Sequence, residues 1–244
     1  MITKKLLSVF LILSKVAHGI LRELLSIIEV VIRNWPGRTG CIIRWIYYKF
    51  RFKHLGRNVI IQPGVRFFGH RYISLDDGCI IDFNCIIFAG PFRSEAEKRY
   101  MHNNEFKLSN GEVKIGKGVH LSVGCYILGQ GGVQIGDHSC CAAGTRILSL
   151  TNHYASFSDP SRDDVYFTIK AGKDHECYII GPIVLGRNVG IASHCILLPG
   201  AMLYENSFLE IGSVAYKVPI PPNSVAGGNP AVRIKDRYHP KRNE

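Results

Sequence analysis

Residues 185–213 read LGRNVG IASHCI LLPGAM LYENSF LEIGS, and an aliphatic side chain returns at every sixth position, at Leu185, Ile191, Leu197, Leu203 and Leu209. Four residues after each stands Val189, Cys195, Ala201, Ser207 or Ser213, all small or β-branched. An α-helix repeats at about 3.6 residues and a strand at about 2, so neither produces this period. A triangular coil does. Three short strands return the chain to its start, the aliphatic fills the prism, and the small residue sits where the chain turns. Successive coils pair as parallel strands, and each coil is stable only when stacked on the next.

The same register appears twice earlier. Leu55, Ile61 and Phe67 lead to Leu75, Ile81 and Ile87, with Val59, Val65, Cys79 and Cys85 at the small position. Ile115, Leu121 and Ile127 lead to Ile135, Cys141 and Ile147, with Val119, Cys125, Ser139 and Thr145. The steps from Phe67 to Leu75 and from Ile127 to Ile135 are two residues longer, which places a bulge at one corner of those coils. Gly56, Gly116, Gly136 and Gly186, each directly after an aliphatic, fit close backbone contact at corners. The expected fold is all-β, a parallel β-helix over residues 55–235, followed by a tail at 236–244. Residues 88–114 and 148–184 break the repeat and leave as loops, where function in a solenoid concentrates.

Residues 1–54 are different. Positions 4–33 read as one amphipathic helix with Lys4, Lys15, His18, Arg22, Ser26, Glu29 and Arg33 in a narrow polar arc. Leu13, Ile20, Leu24, Ile27, Ile28 and Val31 lie in the much wider apolar face. Pro36-Gly37 ends it. Trp45, Tyr47, Tyr48, Phe50 and Phe52 then interleave with Arg44, Lys49, Arg51 and Lys53. Most of the chain's net charge of +11 sits in this first quarter. Rings plus cations beside an apolar helix suit an anionic membrane surface, so residues 4–53 are expected to dock there. Packing on the body or on a sister subunit is the alternative. The uncharged run Leu6–Ser14 is too short to span a bilayer. No nucleic-acid-binding module is present. Four of the eight cysteines fall on the small buried position, and none has CxxC spacing. This reads as packing in a reducing cytoplasm, without a metal site.

Three further stretches carry chemistry. They are Thr151-Asn152-His153 with Asp159-Pro160, then Gly181-Pro182 through Leu198-Pro199-Gly200, then Gly212-Ser213-Val214 with Lys217 and Pro222 to Ala231. With the repeat, they resemble the hexapeptide-repeat acyltransferases, and within these the sugar O-acetyltransferases that act on galactosides, maltose and surface polysaccharides. The resemblance implies a left-handed β-helix, a homotrimer with sites between neighbours, acetyl-CoA as donor, no metal, and His153 as catalytic base. It maps donor contacts onto Ser193, Gly212, Lys217 and Lys235, and acceptor contacts onto Asn152 and Asp159. The expected reaction is acetyl transfer to a hydroxyl of a sugar in polysaccharide or glycolipid synthesis, on the inner face of the membrane. A sugar hydroxyl needs a base to take its proton during attack, and imidazole suits that task near neutral pH. His175, in the same insertion, is the rival base.

N-acyl transfer to a nucleotide-linked amino sugar is the alternative enzyme, and a membrane-docked scaffold without CoA affinity is the non-catalytic one. A zinc-dependent carbonic anhydrase on this fold would need paired histidines five apart, and the ten histidines contain no such pair.

Overall fold

The computed structural model describes residues 14, 16, 19–20, 23–101, 111–168, 170–216 and 218–238. Three parallel sheets form the sides of the prism. The first contains His54–Leu55, Ile73–Leu75, Val113–Ile115, Val133–Ile135, Ile183–Leu185 and Met202–Leu203. The second contains Ile60–Ile61, Ile80–Ile81, His120–Leu121, Cys140–Cys141, Gly190–Ile191 and Phe208–Leu209, and the third runs from Arg66–Phe68 to Val214–Ala215. In the first sheet Leu55 stands over Leu75, Leu75 over Ile115, Ile115 over Ile135 and Ile135 over Leu185. The aliphatic stack expected from the period is therefore the core. The small position behaves as expected too, since Val59, Cys79, Cys85, Cys125, Ser139, Thr145, Cys195 and Ser207 are all buried.

The corners have a constraint of their own. Three residues past most of the core positions the backbone enters the left-handed region, at Asn58, Gly64, Gly78, Asn84, Gly90, Gly118, Gly124, His138, Gly144, Asn188, His194, Gly200, Asn206 and Gly212; the exceptions follow Phe67, Ile127 and Ile147, where the coil is lengthened or interrupted. That conformation costs a residue with a Cβ about 1–2 kcal/mol, is free for Gly, and is tolerated best by Asn, Asp and His. His138 and His194 thus occupy conformational positions. Asn188 donates to Asn206 at 2.9 Å and Asn206 to Asn223 at 3.0 Å, so one corner carries an amide ladder. The glycines directly after the aliphatics serve a different need. A Cβ at Gly136 would lie 2.5 Å from the Gly186 carbonyl carbon, and one at Gly56 would lie 2.5 Å from the Asp77 nitrogen.

Both ends of the prism are closed. At the C-terminal end Ser224–Gly228 extends the second sheet in parallel and Ala231–Asp236 returns antiparallel to it. At the N-terminal end the helix Gly37–Lys49 lies across the opening. Tyr48 and Phe52 descend from it onto Phe67, with ring centroids 4.8–4.9 Å apart. The aromatic-cationic run therefore splits in two. Tyr48 and Phe52 are core, and Phe50, 86% exposed, faces out. Arg44 also corrects the surface reading, because it is fully buried. Its guanidinium donates to the carbonyls of Trp35 at 2.6 Å, Ile61 at 2.7 Å and Ile32 at 3.2 Å. It thereby ties the unsatisfied carbonyls ending the preceding helical segment to the first coil.

That segment, helical over residues 23–34, turns Glu29, Ile32 and Arg33 toward the body, where they are half-buried, and leaves Glu23 and Ser26 exposed. Glu29 accepts from the Tyr47 hydroxyl at 3.0 Å. Leu24, Ile27, Ile28 and Val31 face away and are exposed, as are Ile42 and Ile46 on the next helix. Lys4, Lys15, His18 and Arg22 of the polar arc lie outside the described residues. Among the described residues no helix is long and apolar enough to cross a membrane.

Two substitutions separate the two kinds of glycine. Gly136→Ala drives a methyl into backbone and should cost about 3 kcal/mol. Gly212→Ala has open space around it and should cost about 1 kcal/mol from conformation alone. Arg44→Met leaves buried carbonyls unpaired and should cost about 3 kcal/mol. Urea unfolding of each variant measures these differences, and equal costs for the two glycine variants would contradict the corner assignment.

Candidate active site

The two insertions meet outside the prism. The chain leaves the third sheet after Arg146–Leu148 and forms the strand Leu150–Asn152. This pairs antiparallel with Cys177–Ile180, which pairs in parallel with Glu97–Tyr100 from the first insertion. A satellite core of Ala96, Leu150, Tyr178 and Ile180, with Phe92 and Leu128 against it, fixes this small sheet to the prism.

His153 follows the last residue of its strand, and its backbone N–H continues the ladder to the Cys177 carbonyl at 2.8 Å. Its side chain is half-buried. Nδ1 lies 2.8 Å from the Ala155 carbonyl oxygen. A carbonyl only accepts, so this contact assigns the proton to Nδ1 and leaves the Nε2 lone pair free. The Ala155 N–H, at 3.3 Å from the same nitrogen, is the poorer partner. Tyr154 and Phe157 each stack on the imidazole with centroids 4.4 Å away. The ring is held in one tautomer and one plane, as a base needs.

None of Asp159, Asp163 and Asp164 orients this imidazole. Asp159 closes its own turn, accepting from the Ser161 hydroxyl at 2.6 Å and the Ser161 N–H at 3.1 Å, and those bonds hold its carboxyl below the usual range. Asp164 instead serves His175, whose Nδ1 is 3.1 Å from Oδ2, while Arg162 donates to Oδ1 at 2.7 Å. The Arg162 hydrogen bond is the main reason the Asp164 carboxyl lies low. His175 therefore has a carboxylate partner, but one shared with a guanidinium. Asn152 is exposed beside His153.

The donor-mapped residues sit elsewhere. Ser193 and Gly212 occupy the corner between the second and third sheets, one coil apart, and the Gly212 N–H donates to the Ser193 carbonyl at 3.0 Å. Gly212 is exposed, with open space where a Cβ would stand. Lys235 is exposed on the final antiparallel strand, opposite Val225. Lys217 lies outside the described residues. None of the hydrogen bonds or ring contacts of His153 reaches Ser193, Gly212 or Lys235. The structure brings Ser193 and Gly212 together, ahead of the third sheet's last two strands, and places His153 on the loop that follows strands Arg146–Leu148 and Leu150–Asn152. Among the described residues no cluster of His, Cys, Asp or Glu is arranged to hold a metal ion.

Sequence reasoning assigned nothing to residues 97–100, which complete the sheet behind His153, and nothing to the Ala155 carbonyl. A backbone oxygen leaves no mark on residue type, and strand Glu97–Tyr100 has no periodicity to read.

No protein-family model matches the chain. The dTDP-4-amino-4,6-dideoxy-D-glucose acyltransferase of Escherichia coli is 27% identical over 188 residues, covering 76% of this chain and 83% of that protein. The galactoside O-acetyltransferase of E. coli strain K12 is 29% identical over 145 residues, covering 59% of this chain and 64% of that protein, so the match spans less than two thirds of its length. Among solved structures, a variant of an N-acyltransferase from Bacillus cereus in complex with dTDP-4-amino-4,6-dideoxyglucose and coenzyme A superposes with a TM-score of 0.61 at 18% identity. It covers 80% of this chain and 90% of that one. A hexapeptide-repeat acetyltransferase from Vibrio cholerae complexed with acetyl coenzyme A superposes with a TM-score of 0.51 at 16% identity, covering 91% and 89%. These two are likenesses of fold.

Proposed function

We propose that this chain, a hexapeptide-repeat acyltransferase by its coils and its relatives, moves an acetyl group from acetyl-CoA to a hydroxyl of a sugar in surface polysaccharide or glycolipid synthesis. The observation that carries the reading is His153, with Nδ1 committed to the Ala155 carbonyl and Nε2 free. Nε2 takes the hydroxyl proton as the sugar oxygen attacks the thioester carbonyl. The imidazolium then returns that proton to the departing sulfur, so the base is regenerated in each turnover. The open corner at Ser193 and Gly212 fits the donor's extended arm. Lys235, with Lys217, suits its phosphates.

The second reading is acyl transfer to the amine of a nucleotide-linked sugar. It is favoured by the E. coli relative that covers 76% of this chain, a dTDP-4-amino-4,6-dideoxy-D-glucose acyltransferase by its name. The base would do the same work on an ammonium or amine. Hydroxylamine separates the products, because an O-ester is cleaved and an amide survives.

Two further features belong to the proposal. His153 follows the strands leaving the third sheet, whereas the corner of Ser193 and Gly212 precedes that sheet's last two strands; this separation supports a homotrimer in which a neighbour completes each site. The outward apolar stripe of residues 24–31, with Ile42 and Ile46, supports docking on an anionic membrane at the cytoplasmic face. Arg38 and Arg57 line a cleft of about 960 Å³ beside that stripe, together with Trp45 and Ile60.

The reaction is tested by release of CoA thiol from acetyl-CoA across a panel of sugar acceptors. His153→Ala should lower kcat about a thousandfold, with His175→Ala within about fivefold of wild type. The reverse pattern moves the base to His175, and no CoA binding at all brings the scaffold reading forward. Docking is tested by flotation with phosphatidylglycerol vesicles. Truncation at Leu55 would remove the Tyr48 and Phe52 plug, so the variant is Ile27→Glu with Ile28→Glu. Flotation should be lost in that variant and weakened by salt for the wild type. Wild-type protein that fails to float, and whose oligomer dissociates in the variant, would assign the stripe to a second copy.

A further inference from the structure

The first insertion has no repeat character and no resemblance to a catalytic motif, yet it supplies the side chains that hold the catalytic loop. Glu97 and Arg99 alternate on one strand and so share a face. Glu97 reaches the turn after His153 with both oxygens. Oε2 accepts from the Ser156 hydroxyl at 2.8 Å and from the Cys177 thiol at 3.3 Å, and Oε1 accepts from the Ser158 N–H at 2.6 Å. Desolvation pushes this carboxyl up, but the bonds from Ser156, Cys177 and Ser158 outweigh it and hold the group at about 2. No ion pair engages Glu97 among the described residues. Its charge is spent on hydrogen bonds to one loop.

Ser156 is itself buried and passes the contact on, accepting from the Asp159 N–H at 3.0 Å. Between the two anchored residues stands Phe157. The Arg99 guanidinium lies over its ring at 4.4 Å, and the ring stacks on His153 at 4.4 Å. The order of contact is Arg99, Phe157, His153. The same strand thus fixes the loop backbone through Glu97 and the imidazole plane through Arg99.

We infer that the strand Glu97–Tyr100 of the first insertion is a positioning arm for the base, with Glu97 and Arg99 as positioning residues that touch neither donor nor acceptor. The inference rests on His153 being the base. A hydrogen-bonded carboxylate with three donors is stronger than neutral partners would be, and displacing a base by about 1 Å costs on the order of a hundredfold in rate. The arm explains why a loop, with no coil geometry of its own, keeps one histidine in one tautomer.

The experiment pairs turnover with amide hydrogen exchange on the full chain. Glu97→Ala should lower kcat about a hundredfold and leave the KM for acetyl-CoA within about twofold, because the donor wall is on another corner. Exchange of residues 153–158 should quicken about tenfold or more, with the coils unchanged. Glu97→Gln keeps one acceptor oxygen and should recover part of kcat. Arg99→Ala, which disturbs only the stack, should lose about fivefold; it serves if Glu97→Ala does not fold. Wild-type exchange and wild-type kcat in both variants would overturn the arm, as would a loss confined to KM. Faster loop exchange in Glu97→Ala, with no CoA release by the wild type on any acceptor, would support the arm and sink the acyl-transfer reading.

Discussion

A corner of three residues has to reverse the chain by about a third of a turn while admitting almost no side-chain volume, and the rest of the molecule follows from how that is met. The aliphatic enters the prism, the third residue after it takes the left-handed conformation, and the fourth turns a small side chain back inside. Asn or Gly at the third position keeps conformational cost low. Val, Cys, Ser, Thr or Ala at the fourth keeps the corner closed. With corners fixed, strands of two or three residues pair coil to coil without further instruction, and outward positions are free to vary. Insertions are tolerated because loop closure costs little once the flanking coils are stacked.

This constraint explains what the sequence made legible. Period six was visible because the aliphatic and small positions recur with residue types that differ sharply from their neighbours. The left-handed position was equally available in the run Asn58, Gly64, Gly78 and Asn84, and it accounts for His138 and His194, which otherwise resemble candidate ligands. Ser193 and Gly212 meet because they are one coil apart on the same corner, so the repeat alone placed them together. Within the non-repeating parts the same reasoning had no purchase. Tyr48 and Phe52 read like interfacial aromatics because a plug for an open prism end and a membrane belt need the same rings. Arg44 read as surface charge because its partners are backbone carbonyls, which carry no residue identity. Glu97 is 59 residues from Ser156 and 80 from Cys177, across two segments without periodicity.

The division of labour in the site has a physical basis. On the proposed reading a donor with a long flexible arm is met by a rigid corner, since Gly212 and Ser193 belong to stacked coils joined by a backbone hydrogen bond. A base must approach reacting atoms and so cannot be part of the wall. His153, the base on the proposed reading, is carried on a loop, and a loop has too few contacts of its own to hold a ring to within the tolerance that proton transfer requires. A second segment is needed to restrain it. The parallel pairing of Glu97–Tyr100 with Cys177–Ile180 supplies that restraint through the backbone, and Glu97 adds charge-assisted bonds.

The N-terminal helical segment follows a different logic from the plug beside it. An amphipathic helix on a soluble surface ordinarily turns its apolar face to the body. Here Glu29 is turned inward to Tyr47, and Leu24, Ile27, Ile28 and Val31 are turned outward. Reversal of this kind leaves apolar area exposed at about 25 cal/mol per Å², which no contact among the described residues recovers. Arg44 keeps the segment's end in that orientation by holding the carbonyls of Ile32 and Trp35, so the reversal is built into the plug and is not a chance of packing. On the proposed docking reading, a second apolar phase is what covers this face and lowers the free energy. The cations of the same quarter of the chain suit the anionic surface proposed for it.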